Sequence, residues 1–352
     1  MALSVIYIVG IAVAVFVGVN IGGSSTGAAF GPATGSGVLS MRQASGLMAA
    51  FVLLGGFTLG TNVVDTLGTE FVPRDSLTLG ASIGILLFIG LGILLGNVLK
   101  VSTSTSITAV AAVVGMGAAL GVLDWRTVGV VFIWWLIAPI LAFWICAFIG
   151  RYLYDDIVAR LDFDAEDRGR LAELAVIGIG CYMAFSAGAS NVANAVAPLV
   201  GSGRMDMTTG VALGGVAIGA GAFVLGPRTM GTVGEDITDL SLEASLVVEL
   251  IAASIITGLS WAGIPASLAV MLTTCVIGLG WGRASRRVPL EAIARPEGLT
   301  AEEQSTWAAD QLELFDPTTV KRVVATWIAT PTVAGVAAFL LFSVTRRFQL
   351  PL

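Results

Sequence analysis

Long apolar windows, each almost free of charged residues, alternate with short polar segments along the whole chain. Five windows precede a polar stretch, at residues 4–21, 46–66, 78–99, 107–123 and 126–150. Five more follow it, at residues 171–187, 207–226, 242–262, 264–281 and 322–345. An apolar α-helix needs about 20 residues to span the hydrocarbon core of a bilayer. The pattern therefore predicts an all-α integral membrane protein with about ten crossings.

Two polar segments divide the chain. The stretch 151–170 holds four arginines and six carboxylates, so we predict a first transmembrane repeat at 1–150, a linker at 151–170 and a second repeat at 171–352. The other polar segment, 283–322, is predicted to be a loop within the second repeat. If each window crosses once, the side with the long loops carries 13 basic residues and the other side five. The positive-inside rule then predicts a multi-pass plasma-membrane protein with both termini outside and both long loops in the cytoplasm.

An internal repeat connects the two halves. The segment Gly22–Pro32 aligns without a gap on Gly188–Pro198, 166 residues later, and the match continues from 35–37 to 201–203. A weaker match, at an offset of 163, sets Ser104 against Ser267. An odd number of crossings in each half inverts the second half relative to the first, so we predict two inverted-topology repeats.

The repeated segments are rich in Gly, Ser and Asn, and each ends in proline. Residues that break helices free backbone groups that lipid cannot satisfy, so such breaks line a cavity enclosed by protein. We therefore predict broken or re-entrant helices at equivalent places in the two repeats, with helix N-termini and hydroxyl groups directed at a small anion. The alternative is that the small residues serve only close packing between helices.

Composition excludes several classes of protein. Hydrophobic residues make up 56% of the chain, charged residues 12%, and the mean hydropathy is +0.92. The chain has no histidine, its three cysteines stand singly in apolar stretches, and no nucleophile lies in a recognisable spacing with a base. We therefore predict buried structural thiols, no metal site, no cofactor, no nucleic-acid partner and no enzymatic activity.

The same segments resemble the signature of the inorganic phosphate transporter (PiT) family. That signature reads approximately G-A-N-D-V-A-N, and Gly188–Asn194 matches it at five of seven positions. Val101–Thr108 resembles the V-S-T-T-H-S-I-T hairpin of the family, and Gly263–Ser267 resembles the start of its twin. The local sequences at 20–24, 185–188 and 325–328 are similar to the sulfate-permease branch. The resemblance implies an inverted-repeat carrier that encloses an oxyanion between two hairpins, coupled to Na⁺ or H⁺.

The signature aspartate of the family is replaced in both copies, by Ser25 and by Asn191. A carboxylate can accept the proton that hydrogen phosphate retains, whereas sulfate has no proton to give and is repelled by a nearby like charge. The sequence therefore predicts sulfate uptake by ion-coupled alternating access. Phosphate symport is the alternative, and an anion channel is a remote one.

The candidate site residues follow from the signatures and the hairpins. We expect substrate contacts from Ser24, Ser25, Thr26, Ser102, Thr103, Ser104, Ser190, Asn191, Asn194 and Ser267. For any single one, an intrahelical or interhelical hydrogen bond is the competing interpretation. Glu249 is a candidate proton carrier because ionisable residues within membrane helices are rare and usually functional, although an interfacial position or a structural ion pair remains open. The expected partners are the oxyanion, membrane lipid and a possible second copy in a homodimer.

Overall fold

The computed structural model describes residues 2–99, 103–161, 169–227, 230, 241–287 and 317–348. The helices of the first half are α1 Ala2–Gly35, α2 Met41–Glu70, α3 Leu79–Leu99, α4 Thr105–Leu120, α5 Trp125–Tyr152 and α6 Tyr154–Leu161. Those of the second half are α7 Arg170–Gly201, α8 Met207–Val224, α9 Leu242–Trp261, α10 Leu268–Ala284 and α11 Pro317–Arg347. Helix α2 contains two π-helical turns, Gly56–Gly60 and Thr66–Glu70.

Each of the ten predicted windows coincides with a helix, which confirms the all-α membrane fold. Within the described ranges, eight helices are long and apolar enough to cross a bilayer, and these are α1, α2, α3, α5, α7, α8, α9 and α11. The other two apolar helices, α4 and α10, are shorter, with 16 and 17 residues. The chain is thus a multi-pass membrane protein.

Helices α3 and α4 form a hairpin that returns to the end of the bundle where it starts. The two helices pack against each other. Asp124, which follows α4, donates its backbone N–H to the carbonyl oxygen of Phe71 at 2.9 Å, and Phe71 lies between the end of α2 and the start of α3. The end of α4 therefore adjoins the segment from which α3 departs, so the hairpin is re-entrant.

Helices α9 and α10 form the equivalent hairpin from the opposite end of the bundle. The hydroxyl groups of Tyr154 and Ser241, the residue before α9, lie 2.8 Å apart. At the end of α10, the carbonyl oxygen of Ser285 accepts a hydrogen bond from Arg151. Arg151 lies in the last turn of α5, and Tyr154 begins α6 just beyond it. The 28 residues of α5 run about 42 Å from the end where the first hairpin opens.

The two hairpins therefore enter from opposite ends, and they meet inside the bundle. Ser106, at the start of α4, donates its hydroxyl proton to the carbonyl oxygen of Ala266, just before α10, at 2.7 Å. Apart from the short helix α6, the described helices thus comprise six that run from end to end and two re-entrant hairpins. This arrangement replaces the expectation that every window crosses once. Three full-length helices in each half still make an odd number, so the predicted inversion of the repeats is retained.

The two halves pack against each other through pairs of helices that the repeat relates to one another. Helix α1 lies against α8 and α7 against α2, while α4 lies against α11 and α10 against α5. A Cβ atom on Gly22 would overlap the carbonyl oxygen of Ile218, and one on Gly188 would overlap that of Val52. These glycines allow the close approach of α1 to α8 and of α7 to α2.

The signature segments themselves do not interrupt their helices, contrary to the prediction from their glycines and prolines. Helix α1 is continuous from Ala2 to Gly35 and α7 from Arg170 to Gly201, with Pro32 and Pro198 near their C-terminal ends. The glycines are accommodated because they serve helix packing, which is the alternative the sequence left open. The chain interruptions lie instead at the tips of the two hairpins.

Candidate substrate site

The tips of the two hairpins place two helix N-termini inside the bundle. Ser104 caps α4 by accepting a hydrogen bond from the Ile107 N–H at 3.2 Å, and Ser267 caps α10 by accepting one from the Val270 N–H at 3.3 Å. Both serines are buried. The first N–H groups of an α-helix have no acceptor within the helix, and the helix dipole is positive at this end. Two buried positive helix ends therefore belong to the same region.

The two residues that stand at the signature aspartate position contact each other. The side-chain amide of Asn191 donates a hydrogen bond to the Ser25 hydroxyl oxygen, with 3.3 Å between the nitrogen and the oxygen. The two residues are 166 positions apart, which is the offset of the repeat. Equivalent positions of the two halves thus meet where α1 and α7 pack together.

Asn191 is the centre of a buried hydrogen-bond network. Its amide oxygen accepts from the Thr105 hydroxyl at 3.0 Å and from the Asn194 amide at 3.2 Å, and the Ser106 hydroxyl oxygen lies 3.4 Å from it. The Asn194 amide also donates to the Ser106 oxygen at 3.2 Å. Helix α7 is therefore joined to the first turn of α4 through side chains alone.

Ser190 joins the same helix to the tip of the second hairpin. Its hydroxyl donates to the Ala266 carbonyl oxygen at 2.7 Å and accepts from the Ala266 N–H at 3.0 Å. Since Ser106 also donates to the Ala266 oxygen, one peptide of the second hairpin contacts both α7 and the first hairpin. The hairpin tips and signature residues form a single polar cluster.

Two buried polar atoms of this region have no hydrogen-bond partner within the described residues. They are the side-chain oxygen of Asn194, whose residue is fully buried, and the hydroxyl oxygen of Thr103. Buried polar groups in folded proteins nearly always have a partner. These two atoms are therefore the groups that a bound ligand has most reason to contact.

Some residues expected from the sequence lie in the cluster, and others make different contacts. Ser25, Ser190, Asn191 and Asn194 belong to the network, and Ser104 and Ser267 cap the helices that enter it. The hydroxyl of Ser24 instead donates to the Ile21 carbonyl oxygen at 3.0 Å, and that of Thr26 to the Gly22 carbonyl oxygen at 2.6 Å. Such bonds to the preceding helical turn are the competing interpretation given above. Ser102 lies outside the described residues.

Thr105 and Ser106 were missed as site residues by the sequence argument. Both lie in the hydroxyl-rich run 101–106, which includes the three hairpin residues that were selected. The period of a helix could have identified them, because the first turn after the Ser104 cap projects its side chains towards neighbouring helices. Which of these hydroxyl groups face α7 depends on the packing of the hairpin, which the sequence does not specify.

The hydrogen bonds of the cluster join neutral groups only. They involve Ser, Thr and Asn side chains and main-chain atoms, without a carboxylate or a basic side chain. The ion pair found among the described residues, Arg286 with Asp155, lies just beyond the C-terminal end of α5. There the hydrogen bond from Arg286 lowers the pKa of the Asp155 carboxyl. Positive potential in the cluster therefore comes from the N-termini of α4 and α10.

Glu249 is a buried carboxyl group in α9, with 4% of its surface exposed. At the weaker repeat offset of 163 its equivalent is Leu86, which is fully buried in α3. A carboxyl group thus occupies a position that is apolar in the first half. No ion pair to Glu249 occurs within the described part of the chain.

Two inverted helical repeats, with re-entrant hairpins that meet in a buried polar cluster, define a membrane transporter. Comparison with known proteins assigns the chain more closely. It belongs to the phosphate transporter family, whose sequence profile matches residues 21–296. The members and neighbours found are transporters rather than enzymes, in agreement with the sequence prediction.

Individual relatives are named for two different oxyanions. The chain is 30% identical over 269 residues to the sulfate permease CysP of Bacillus subtilis, covering 76% of this chain and 75% of the permease. It is 23% identical over 384 residues to inorganic phosphate transporter 2-1 of Arabidopsis thaliana, covering 78% of this chain and 65% of that transporter. A solved sodium-dependent phosphate transporter shares the fold, with a TM-score of 0.74 and 19% identity over 97% of this chain and 99% of that one.

Proposed function

We propose that this transporter carries a small inorganic oxyanion by alternating access and that sulfate is its preferred substrate. The observation that carries the proposal is the contact between Asn191 and Ser25. These residues stand where the resembled signature has two aspartates, so the centre of the site offers amide and hydroxyl groups in place of two carboxylates. The identity to a protein named sulfate permease supports the same substrate.

The chemistry of the site suits a fully ionised dianion. Sulfate carries no proton at neutral pH and therefore needs only hydrogen-bond donors. Serine and threonine hydroxyls, asparagine amides and the N–H groups of two helix N-termini are donors. Unit charges of like sign about 4 Å apart repel by about 4 kcal/mol at an effective dielectric constant of about 20. A site without a carboxylate avoids that repulsion.

Phosphate is the second candidate, and one observation favours it. The unpartnered oxygen of Asn194 is an acceptor, and the hydroxyl group of hydrogen phosphate is a donor that could satisfy it. Relatives named as phosphate transporters support this alternative. A carrier is favoured over a channel because the hairpin tips, which enter from opposite ends of the bundle, are hydrogen-bonded to each other through Ala266.

We further propose that Glu249 carries the coupling proton. A charged carboxylate buried without a cationic partner is costly, so the group is expected to be neutral in this conformation and to ionise when transport exposes it to water. The helices packed against α9 are α1, α2, α5, α6, α7 and α10. Their charged and titratable residues with described side chains are Tyr7 of α1; Arg42, Asp65 and Glu70 of α2; Arg126, Cys146, Arg151 and Tyr152 of α5; Tyr154, Asp155 and Asp156 of α6; Arg170, Glu173, Cys181 and Tyr182 of α7; and Cys275 and Arg283 of α10. Sodium coupling is the alternative.

Uptake of radiolabelled sulfate and phosphate into proteoliposomes tests these proposals. Sulfate uptake should be saturable, should show counterflow and should exceed phosphate uptake. An inward pH gradient should stimulate it, and a sodium gradient should not. The Glu249→Gln variant should lose the response to pH and keep sulfate counterflow, because a neutral amide can occupy the site of a protonated acid but carries no proton. Phosphate uptake that excess sulfate does not inhibit would overturn the sulfate assignment, and stimulation by sodium alone would overturn the role of Glu249.

We propose a plasma-membrane orientation with both termini outside and the segments 151–170 and 283–322 in the cytoplasm. The arrangement of the helices supports it, because six full-length helices and two re-entrant hairpins leave both long polar segments at the same end of the bundle. That end also carries most of the basic residues, as the positive-inside rule requires of the cytoplasmic side. The homodimer stays a prediction.

A further inference from the structure

Helix α4, the re-entrant helix of the first half, is capped at its C-terminal end by an arginine of the second half. Helix α4 ends in a Schellman motif: the Val122 N–H bonds to the Gly117 carbonyl oxygen at 3.0 Å and the Gly121 N–H to that of Ala118 at 3.2 Å. The next free carbonyl, of Ala119, accepts a hydrogen bond from the Arg346 guanidinium at 2.9 Å. Arg346 lies in the last turn of α11.

Helix α10, the re-entrant helix of the second half, makes the corresponding contact with the first half at its C-terminal end. The guanidinium of Arg151, in the last turn of α5, donates to the Ser285 carbonyl oxygen that follows α10. In return, Arg286 donates its Nε–H to the Arg151 carbonyl oxygen at 2.7 Å. Helices α4 and α10 therefore each have their N-terminus in the polar cluster and their C-terminal end bound by an arginine of the opposite half.

The same helix pairs are packed backbone to backbone along their length. A Cβ atom on Gly115 of α4 would overlap the carbonyl oxygen of Gly335 in α11. One on Gly278 of α10 would overlap the carbonyl oxygen of Phe143 in α5. Each re-entrant helix and its partner thus form a unit in which a shift at one end is transmitted to the other.

Resting on the proposed transport function, we propose that Arg346 and Arg151 are positioning residues for the substrate site. Each fixes the C-terminal end of a re-entrant helix to the opposite half and so determines where the N-terminus of that helix lies. Helix α4 has 16 residues and is about 24 Å long, so Arg346, bound at its C-terminal end, lies far from the polar cluster and does not touch a substrate there. Arg346 therefore acts through the placement of the helix and not by attracting the anion directly.

Arg347 provides a matched control, because it lies beside Arg346 in the same last turn and is also exposed. Arg346→Gln, Arg346→Lys and Arg347→Gln are compared with the unaltered chain by oxyanion uptake in proteoliposomes at equal protein content. We expect Arg346→Gln to raise KM about fivefold, because the C-terminal end of α4 loses the cation that holds it in place. Vmax should stay within about twofold because the residue does not touch substrate. Arg346→Lys should return KM most of the way to the value of the unaltered chain, and Arg347→Gln should leave KM unchanged.

Hydrogen exchange over residues 104–121 provides a readout that needs no substrate. Arg346→Gln should speed exchange in the first turn of α4, and Arg347→Gln should not. An unchanged KM and unchanged exchange in Arg346→Gln would overturn the positioning role, as would equal effects of the two glutamine variants. If the unaltered chain transports neither sulfate nor phosphate, the proposed function fails, while the exchange comparison still decides whether Arg346 positions α4.

Discussion

At the scale of the residue, the chemistry of the site depends on what stands at positions 25 and 191. The side chains there are neutral, and Asn191 both accepts from Thr105 and Asn194 and donates to Ser25. An aspartate at position 191 would retain the acceptors and lose the donor. It would also place a negative charge in a buried cluster that has no basic side chain to neutralise it.

Asn191→Asp is therefore expected to raise the KM for sulfate at least about tenfold, because repulsion of about 4 kcal/mol between nearby like charges exceeds the 1.4 kcal/mol that a tenfold change requires. Phosphate uptake should be less affected, since hydrogen phosphate can donate its proton to the carboxylate. The measurement is the KM of both anions in proteoliposomes. Asn191→Ser, which copies the neutral residue of the first repeat, is the control and should keep sulfate uptake. Equal KM values for sulfate in the two variants would contradict the argument.

At the scale of the element, glycine has a different role from the one that its presence in a membrane helix suggested. Helices α1 and α7 run unbroken through the signature segments, and their glycines face backbone atoms of α8 and α2. The interruptions that expose helix N-termini occur between α3 and α4 and between α9 and α10. Close helix packing is thus provided by α1 and α7, and the proposed anion site lies at the tips of the two hairpins.

Gly188→Ala is expected to destabilise the protein by about 1–3 kcal/mol, because the added Cβ would overlap the Val52 backbone, which cannot move without shifting α2. Gly178→Ala in the same helix is the matched control. Nothing lies within 4 Å of a Cβ at that position, and alanine favours the helix over glycine by about 1 kcal/mol. Thermal unfolding in detergent should show a lower Tm for the first variant and an unchanged or higher Tm for the second. The same Tm in both would show that α7 and α2 are less closely packed.

At the scale of the whole molecule, the two halves are interlocked. The re-entrant helix of each half packs along the last full-length helix of the other half, α4 against α11 and α10 against α5. In the same way, α1 packs against α8 of the second half and α7 against α2 of the first. The two hairpins enter from opposite ends and share one hydrogen-bonded contact at Ala266. On the proposed alternating-access function, opening at either hairpin would expose a substrate between the tips to the corresponding end of the bundle.

Labelling of single introduced cysteines tests this arrangement and its orientation. Arg204 follows the C-terminal end of α7, and Asp156 lies in α6, before the N-terminal end of α7. Both side chains are exposed. In intact cells, a membrane-impermeant maleimide should label Arg204→Cys and should label Asp156→Cys only after permeabilisation. The unaltered chain is the control, because its three cysteines are buried. Labelling in the reverse order would invert the orientation, and labelling of both sites from outside would contradict the helix topology.

The positions of the ten apolar helices, the repeat at an offset of 166 and the absence of carboxylates from both signature segments all follow from the amino-acid sequence. These properties are local or periodic, so hydropathy and alignment of the chain with itself are sufficient to find them. Which helices cross the bilayer could not be predicted from the sequence, since α3 and α9 are as long and apolar as crossing helices and their return depends on where α4 and α10 pack. The tertiary structure also brought Thr105 and Ser106 to Asn191 and turned Ser24 and Thr26 back to their own helix, because the direction of a hydroxyl group depends on the neighbours that the fold supplies.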